Sequence, residues 1–103
     1  MALILVTVAD LTVSTAGTRV QVSATATPVS SIIFEAHASN TGVVYIGDAS
    51  VAATRGTSLA AGQALAISAD QSGRDGEEFY LSDFYVDAAT NGDKVKVSYI
   101  KRR

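Results

Sequence analysis

Asp83 to Ile100 reads D-F-Y-V-D-A-A-T-N-G-D-K-V-K-V-S-Y-I, and this stretch decides the fold class. Two runs that alternate apolar and polar residues flank Asn91-Gly92. Strict alternation is the signature of a half-buried β-strand, and Asn-Gly suits a type I′ turn, whose two central residues both need positive φ. The expected unit is therefore a hairpin in which Thr90 faces Asp93, Ala88 faces Val95, Val86 faces Val97 and Phe84 faces Tyr99. Phe84, Val86, Ala88, Val95, Val97 and Tyr99 then share an apolar face. Asp83, Tyr85, Asp87, Lys94, Lys96 and Ser98 share the other, with Asp87 opposite Lys96 as a cross-strand charge pair.

Outward from this stretch the same period continues. Ala2–Val8 and Leu11–Ser14 read as one or two strands around Ala9-Asp10. Ala16-Gly17-Thr18 turns the chain, Arg19–Ala24 alternates, and Thr27-Pro28 breaks the pattern because proline cannot donate to a ladder. Ser30–Ala38 is the longest strand before the final hairpin, with Ile32, Phe34, Ala36 and Ala38 on one side and Ile33, Glu35 and His37 on the other. Asn40-Thr41-Gly42 is a turn. Val43–Gly47 is apolar on both faces, as a central or covered strand would be. Val51–Ala53 reads as a short edge strand before an Arg55-Gly56 turn. Ala60-Ala61-Gly62 turns again, and Ala64–Ser68 points Leu65 and Ile67 inward. Asp70–Glu78 is polar with two glycines and reads as an exposed, mobile loop. No helical period of useful length occurs. Strands spaced at ~8–12 residues with turn signals between them are the pattern of an all-β sandwich or barrel.

Composition bounds what this fold can do. The chain has 103 residues, a net charge of −2 and no cysteine. That length suits one domain with one modest core. The missing thiols exclude disulfides, thiolate metal sites and cysteine nucleophiles, and a cysteine-free chain fits a reducing cytoplasm. The charge supplies no global basic field for nucleic acid. Met1–Val8 lacks the basic start and the long apolar run of a signal peptide, and no stretch nears the roughly 20 apolar residues that span a bilayer.

Few residues could carry chemistry. His37 is the only histidine and shares a strand face with Glu35, but no serine or metal constellation is apparent around it, so it reads as a strand-face side chain. Asp48, Asp83, Asp87 and Asp93 match no calcium-loop spacing and read as solvated strand and turn carboxylates. Lys101-Arg102-Arg103 reads as a basic, solvated tail. Of the four tyrosines, Tyr99 belongs to the core by its register, and Tyr85 lies on the otherwise polar face, where it suits an interface. No catalytic, cofactor-binding or metal residue is expected.

Three segments taken in order resemble a known group. Asn40-Thr41-Gly42-Val43-Val44-Tyr45-Ile46-Gly47-Asp48 is followed by Gly56-Thr57-Ser58-Leu59-Ala60-Ala61-Gly62. Phe84-Tyr85-Val86-Asp87-Ala88 then precedes Asn91-Gly92-Asp93-Lys94-Val95. This order resembles small structural proteins encoded among the virion genes of tailed bacteriophages, which decorate or cement capsids or occupy tail and neck positions. The resemblance spans about Ser31 to Ile100. It implies one antiparallel, jelly-roll-like β-sandwich of about eight strands over residues 1–103. It implies a protein without enzymatic activity that binds copies of itself, as a trimer, and the major capsid protein of a phage head, and that is assembled in the host bacterial cytoplasm. It implies no membrane and no specific nucleic acid. Leu3, Leu5, Val43, Tyr45 and Tyr85 are the expected interface residues, because Ala2–Val8 and Val43–Ile46 are apolar on both faces. A sugar-binding sandwich module would instead cluster exposed aromatic residues in loops, and a small enzyme would need convergent titratable groups.

Overall fold

The computed structural model describes residues 3–68 and 79–102. Both runs of the closing stretch are strands, but they do not pair with each other. Numbered in chain order, the strands are β1 (Leu3–Thr12), β2 (Val20–Gln21), β3 (Pro28–Val29), β4 (Ser31–Ala36), β5 (Val44–Gly47), β6 (Thr57–Leu59), β7 (Ala64–Ser68), β8 (Phe79–Tyr80), β9 (Tyr85–Ala88) and β10 (Lys94–Arg102). Sheet I has the order β1-β10-β4-β7, sheet II the order β2-β9-β5-β6, and sheet III consists of β3 and β8. Every ladder is antiparallel. The fold is therefore all-β, and among the described residues the one helical turn is a 3-10 turn at Leu81–Asp83.

The hairpin expected at Asn91-Gly92 is thus corrected. β9 lies in sheet II, where Val86 faces Ile46 and Val20, and β10 lies in sheet I, where Val97 faces Phe34 and Val8. The turn is not type I′ either. Gly92 has φ +85°, but no residue other than glycine has positive φ. Together with a Thr90 C=O that accepts from Asp93 N–H at 3.4 Å, this is the type II pattern. A type I′ turn matches the twist of two strands side by side, whereas here the chain must leave one sheet and enter another. The Asp87–Lys96 pair falls with the hairpin, since Lys96 stands beside Glu35 instead. The face assignment stands: Val86, Ala88, Val95 and Val97 are buried, and Phe84 and Tyr99 pack against the core. Gly92→Val should cost roughly 1 kcal/mol or more, because positive φ strains a β-branched residue. A Cβ there would meet no atom within 4 Å, so Gly92→Asn should melt closer to the parent than Gly92→Val does.

One apolar cluster draws on both large sheets. Ile32, Phe34, Ala36, Val95 and Val97 come from sheet I, and Val44, Ile46, Leu59, Val86 and Ala88 from sheet II. Val29 of sheet III, Val13, Val22 and Leu81 complete it. Three aromatic rings run through the partition. Phe34 of β4 lies 5.7 Å from Phe84, and Phe84 meets Phe79 of β8 edge-on at 5.9 Å.

Several boundaries differ from expectation. The N-terminal apolar run is one strand with a β-bulge between Val8 and Leu11, where two residues, Ala9 and Asp10, oppose Lys96. Pro28 begins β3, a strand end at which its missing N–H is tolerated. Val51–Ala53 is not a strand. Only an Ala52–Arg55 bridge forms there, and the strand is β6, entered after Gly56 turns the chain at φ +131°. Lys101 and Arg102 extend β10 instead of forming a tail. The Asp70–Glu78 loop and Arg103 lie outside the described residues.

Candidate functional site

Side chains that alternate with the core set fall on the outer faces of the two sheets, and the five expected interface residues divide between them. On sheet I, Leu5 pairs with Ile100, which pairs with Ser31. One step along, Thr7, Ser98 and Ile33 form the next row, and Ile33 continues to Ala66. Leu3 and Leu5 are 57% and 64% exposed, and Ile33 and Ile100 are half-buried. The result is an apolar outer surface running from the start of β1 across β10. Its end overhangs the sheet: β4 pairs with β10 only as far as Ile100, so among the described residues Lys101 and Arg102 pair with Ile4 and Leu3 alone.

Tyr45 and Tyr85 lie on the outer face of sheet II. Tyr45 is opposite Asp87 and Tyr85 opposite Gly47, so the two tyrosines are diagonal neighbours on adjacent strands. Both are half-buried. The Arg19 guanidinium sits 5.9 Å from the centre of the Tyr85 ring. Val43 precedes β5, and its C=O accepts the Ala89 N–H at 3.0 Å. Leu3 and Leu5 therefore form one group, and Val43, Tyr45 and Tyr85 belong to the other sheet.

The four aspartates do not converge, and two of them are not solvated. Asp87 is fully buried although it lies on an outer face. The loop after β1 covers it, with Gly17 N–H donating to Oδ1 at 3.0 Å and Ala88 N–H to the same atom at 2.7 Å. Its Oδ2 has no partner among the described atoms. Asp93 is 5% exposed and accepts Thr41 N–H at 3.1 Å on Oδ1 and Gly42 N–H at 2.9 Å on Oδ2. Asp48 is exposed and accepts both the hydroxyl and the N–H of Ser50, at 2.6 and 2.9 Å. Those two bonds, the hydroxyl first, hold its carboxyl below the usual carboxylate range. A folded-state pKa below the unfolded one means that this local turn is favoured at neutral pH and weakens as pH falls through the folded value. Asp48, Ser50, Ser82, Asp83 and Tyr85 line a solvent-open cleft of about 520 Å³. Among the described residues, no group of three or more His, Asp or Glu could hold a metal ion.

His37 gains a neighbour that alternation could not show. Its Nδ1 accepts the Ser39 N–H at 3.0 Å and lies 2.8 Å from the Ser39 Oγ. The N–H donation makes Nδ1 an acceptor, so the ring carries its proton on Nε2 when neutral. Ser39 is exposed and two residues away, which makes this a local turn contact. His37→Ala should change the melting free energy by no more than about 0.5 kcal/mol, because its ring is only half-buried and its side-chain bonds go to the neighbouring Ser39. A larger loss with unchanged circular dichroism would give the pair a role.

The turn segments that carried the family resemblance meet in space. Asn40 Oδ1 accepts Lys94 N–H, and its Nδ2 donates to Lys94 C=O, both at 2.8 Å. Asn91 Oδ1 accepts Ala16 N–H at 2.7 Å, and Gly92 N–H donates to Val13 C=O at 2.8 Å. A Cβ on Gly42 would come within 2.5 Å of the Thr90 Oγ1. Asn40, Gly42, Asn91, Gly92 and Asp93 thus tie three connections together, and their conformational role is structural. Compared with protein families, with curated proteins and with solved structures, the chain matches none of them. No helix among the described residues is long and apolar enough to cross a membrane.

Proposed function

We propose that this chain is a non-catalytic structural protein of a tailed-phage particle, a jelly-roll β-sandwich that associates with itself and with the major capsid protein as a decoration or cement subunit. The sandwich reading is supported by the apolar cluster shared between sheets I and II. The jelly-roll reading is supported by the pairing order. Setting aside the two-residue β3 and β8, the strands in sequence order pair first with last, second with seventh, third with sixth and fourth with fifth: β1–β10, β2–β9, β4–β7 and β5–β6. That order is what a long antiparallel ribbon gives when it is rolled up. Rolling also leaves the seventh and eighth strands, β9 and β10, in opposite sheets.

Jelly rolls serve in virus shells and in lectins, and a fold alone assigns neither. The observation that carries the choice is the exposed pair Leu3 and Leu5 on a long edge strand. Contiguous exposed apolar surface marks a protein contact. The sugar-binding reading has less to build on, because the one aromatic ring in the cleft, Tyr85, is half-buried and already faced by Arg19. The test is to purify phage particles and fit the chain into an image reconstruction. Copies on the outer shell of the head are the expected result. Particles lacking the chain would overturn the assignment.

A further inference from the structure

We infer that β1 is an assembly edge that pairs, antiparallel and about a twofold axis, with β1 of a second copy of this chain. The inference deepens the self-association part of the reading above and stands apart from the phage assignment. Sheet I ends at β1, and the free side of that strand has no partner among the described residues. An unpaired edge presents a row of N–H and C=O groups that pairs readily with another strand, and proteins ordinarily shorten, charge or cover such an edge. From Leu3 to Val8 the sequence is L-I-L-V-T-V, with no charge and no proline, and the bulge begins only after Val8. Six regular residues are therefore left open.

Two observations select a second copy as the occupant. The segment is uncharged on both faces, with Leu3, Leu5 and Thr7 outward and Ile4, Val6 and Val8 toward the core side, so the same segment is a match on both faces at once. Among the other edges, β2 has two residues, β6 three and β7 five, and none spans the open length of β1. Symmetry fixes the direction. A twofold axis perpendicular to the sheet makes the two β1 strands antiparallel and keeps Leu3 and Leu5 of both copies on one face. A twofold pair is isologous and joins two copies of sheet I into one eight-stranded sheet, with the leucines of both copies together on its outer face. The family resemblance implies a trimer instead, and the mass in solution separates the two arrangements.

Because the chain has no cysteine, single cysteines can be placed at each of residues 3–8, and at Ser58 and Ala66 as controls on other strands. Mild oxidation of the full chain should yield a covalent dimer at one position in β1, or at two adjacent ones, where the twofold axis crosses, and at neither control. Light scattering should show a dimer for the parent. Leu5→Lys, at an exposed position that leaves the monomer folded, should raise the dissociation constant by about tenfold or more, as losing an apolar anchor does. An oligomer without β1 cross-links, or one that cross-links equally at the controls, would overturn edge pairing but leave self-association standing. A monomeric parent would overturn both. A dimer cross-linked through β1 but absent from phage particles would overturn the phage assignment alone.

Discussion

Phe34→Ala is expected to lower the free energy of unfolding by about 3–5 kcal/mol, the range for removing a fully buried phenylalanine. The side chain has no exposed surface, and its position leaves little room for collapse. On its own sheet it is flanked by Val97 on β10 and Leu65 on β7. Across the core its ring contacts Phe84, which contacts Phe79 of sheet III in turn. Alanine would therefore leave a cavity and also remove a ring that bridges sheet I to Phe84 and, through it, to Phe79 of sheet III. Against a total stability of about 5–15 kcal/mol for a domain of this size, such a loss threatens folding at ambient temperature. Phe34→Leu keeps most of the volume and should cost roughly half as much or less. Urea unfolding followed by tyrosine fluorescence would measure both. A Phe34→Ala midpoint within error of the parent would show that the shared core does not hold the sheets together.

Much of this architecture is local information and was legible. Alternation fixes which face a side chain takes, so the inward set of β4, β7, β9 and β10 is read correctly from Ile32, Phe34, Leu65, Ile67, Val86 and Val97. Strand partners are not local. Val86 and Val97 face a common core whether their strands lie side by side or in opposite sheets, and the alternating pattern is the same in both cases. The turn could not break the tie, since Gly92 supplies the positive φ for a type II turn as readily as for type I′. β6 escaped because Thr57-Ser58-Leu59 is too short to show a period. The candidate site followed the same division. Leu3 and Leu5 stood out because both faces of β1 are apolar. The burial of Asp87 and Asp93 depends on loops at Gly17 and Thr41 that are distant in sequence, so polar residues at outward and turn positions read as solvated. The one available signal was the type of residue at the turn: an aspartate beside a tight turn often accepts backbone N–H groups.

Asp93→Ala is expected to cost about 1–3 kcal/mol, because two part-buried backbone N–H groups, of Thr41 and Gly42, lose their acceptor together. The carboxylate uses its two oxygens separately, Oδ1 for Thr41 N–H and Oδ2 for Gly42 N–H. Its own backbone C=O accepts Val13 N–H at 2.9 Å. One residue thus joins the end of β1, the turn before β5 and the entry to β10. Asp93→Asn retains one acceptor but turns an amide donor toward the other N–H, so it should recover part of the loss and not all of it. Asp48→Ala is the matched control. Asp48 accepts two bonds from Ser50 within an exposed turn, and its removal should leave the midpoint close to that of the parent. Chemical denaturation of the three variants separates the outcomes. If Asp93→Ala and Asp48→Ala shift the midpoint equally, Asp93 is no clamp, and the meeting of the Asn40–Gly42 and Asn91–Asp93 segments does not hold the turns in place. If Asp93→Ala alone collapses the midpoint, those segments are the tie between the two sheets.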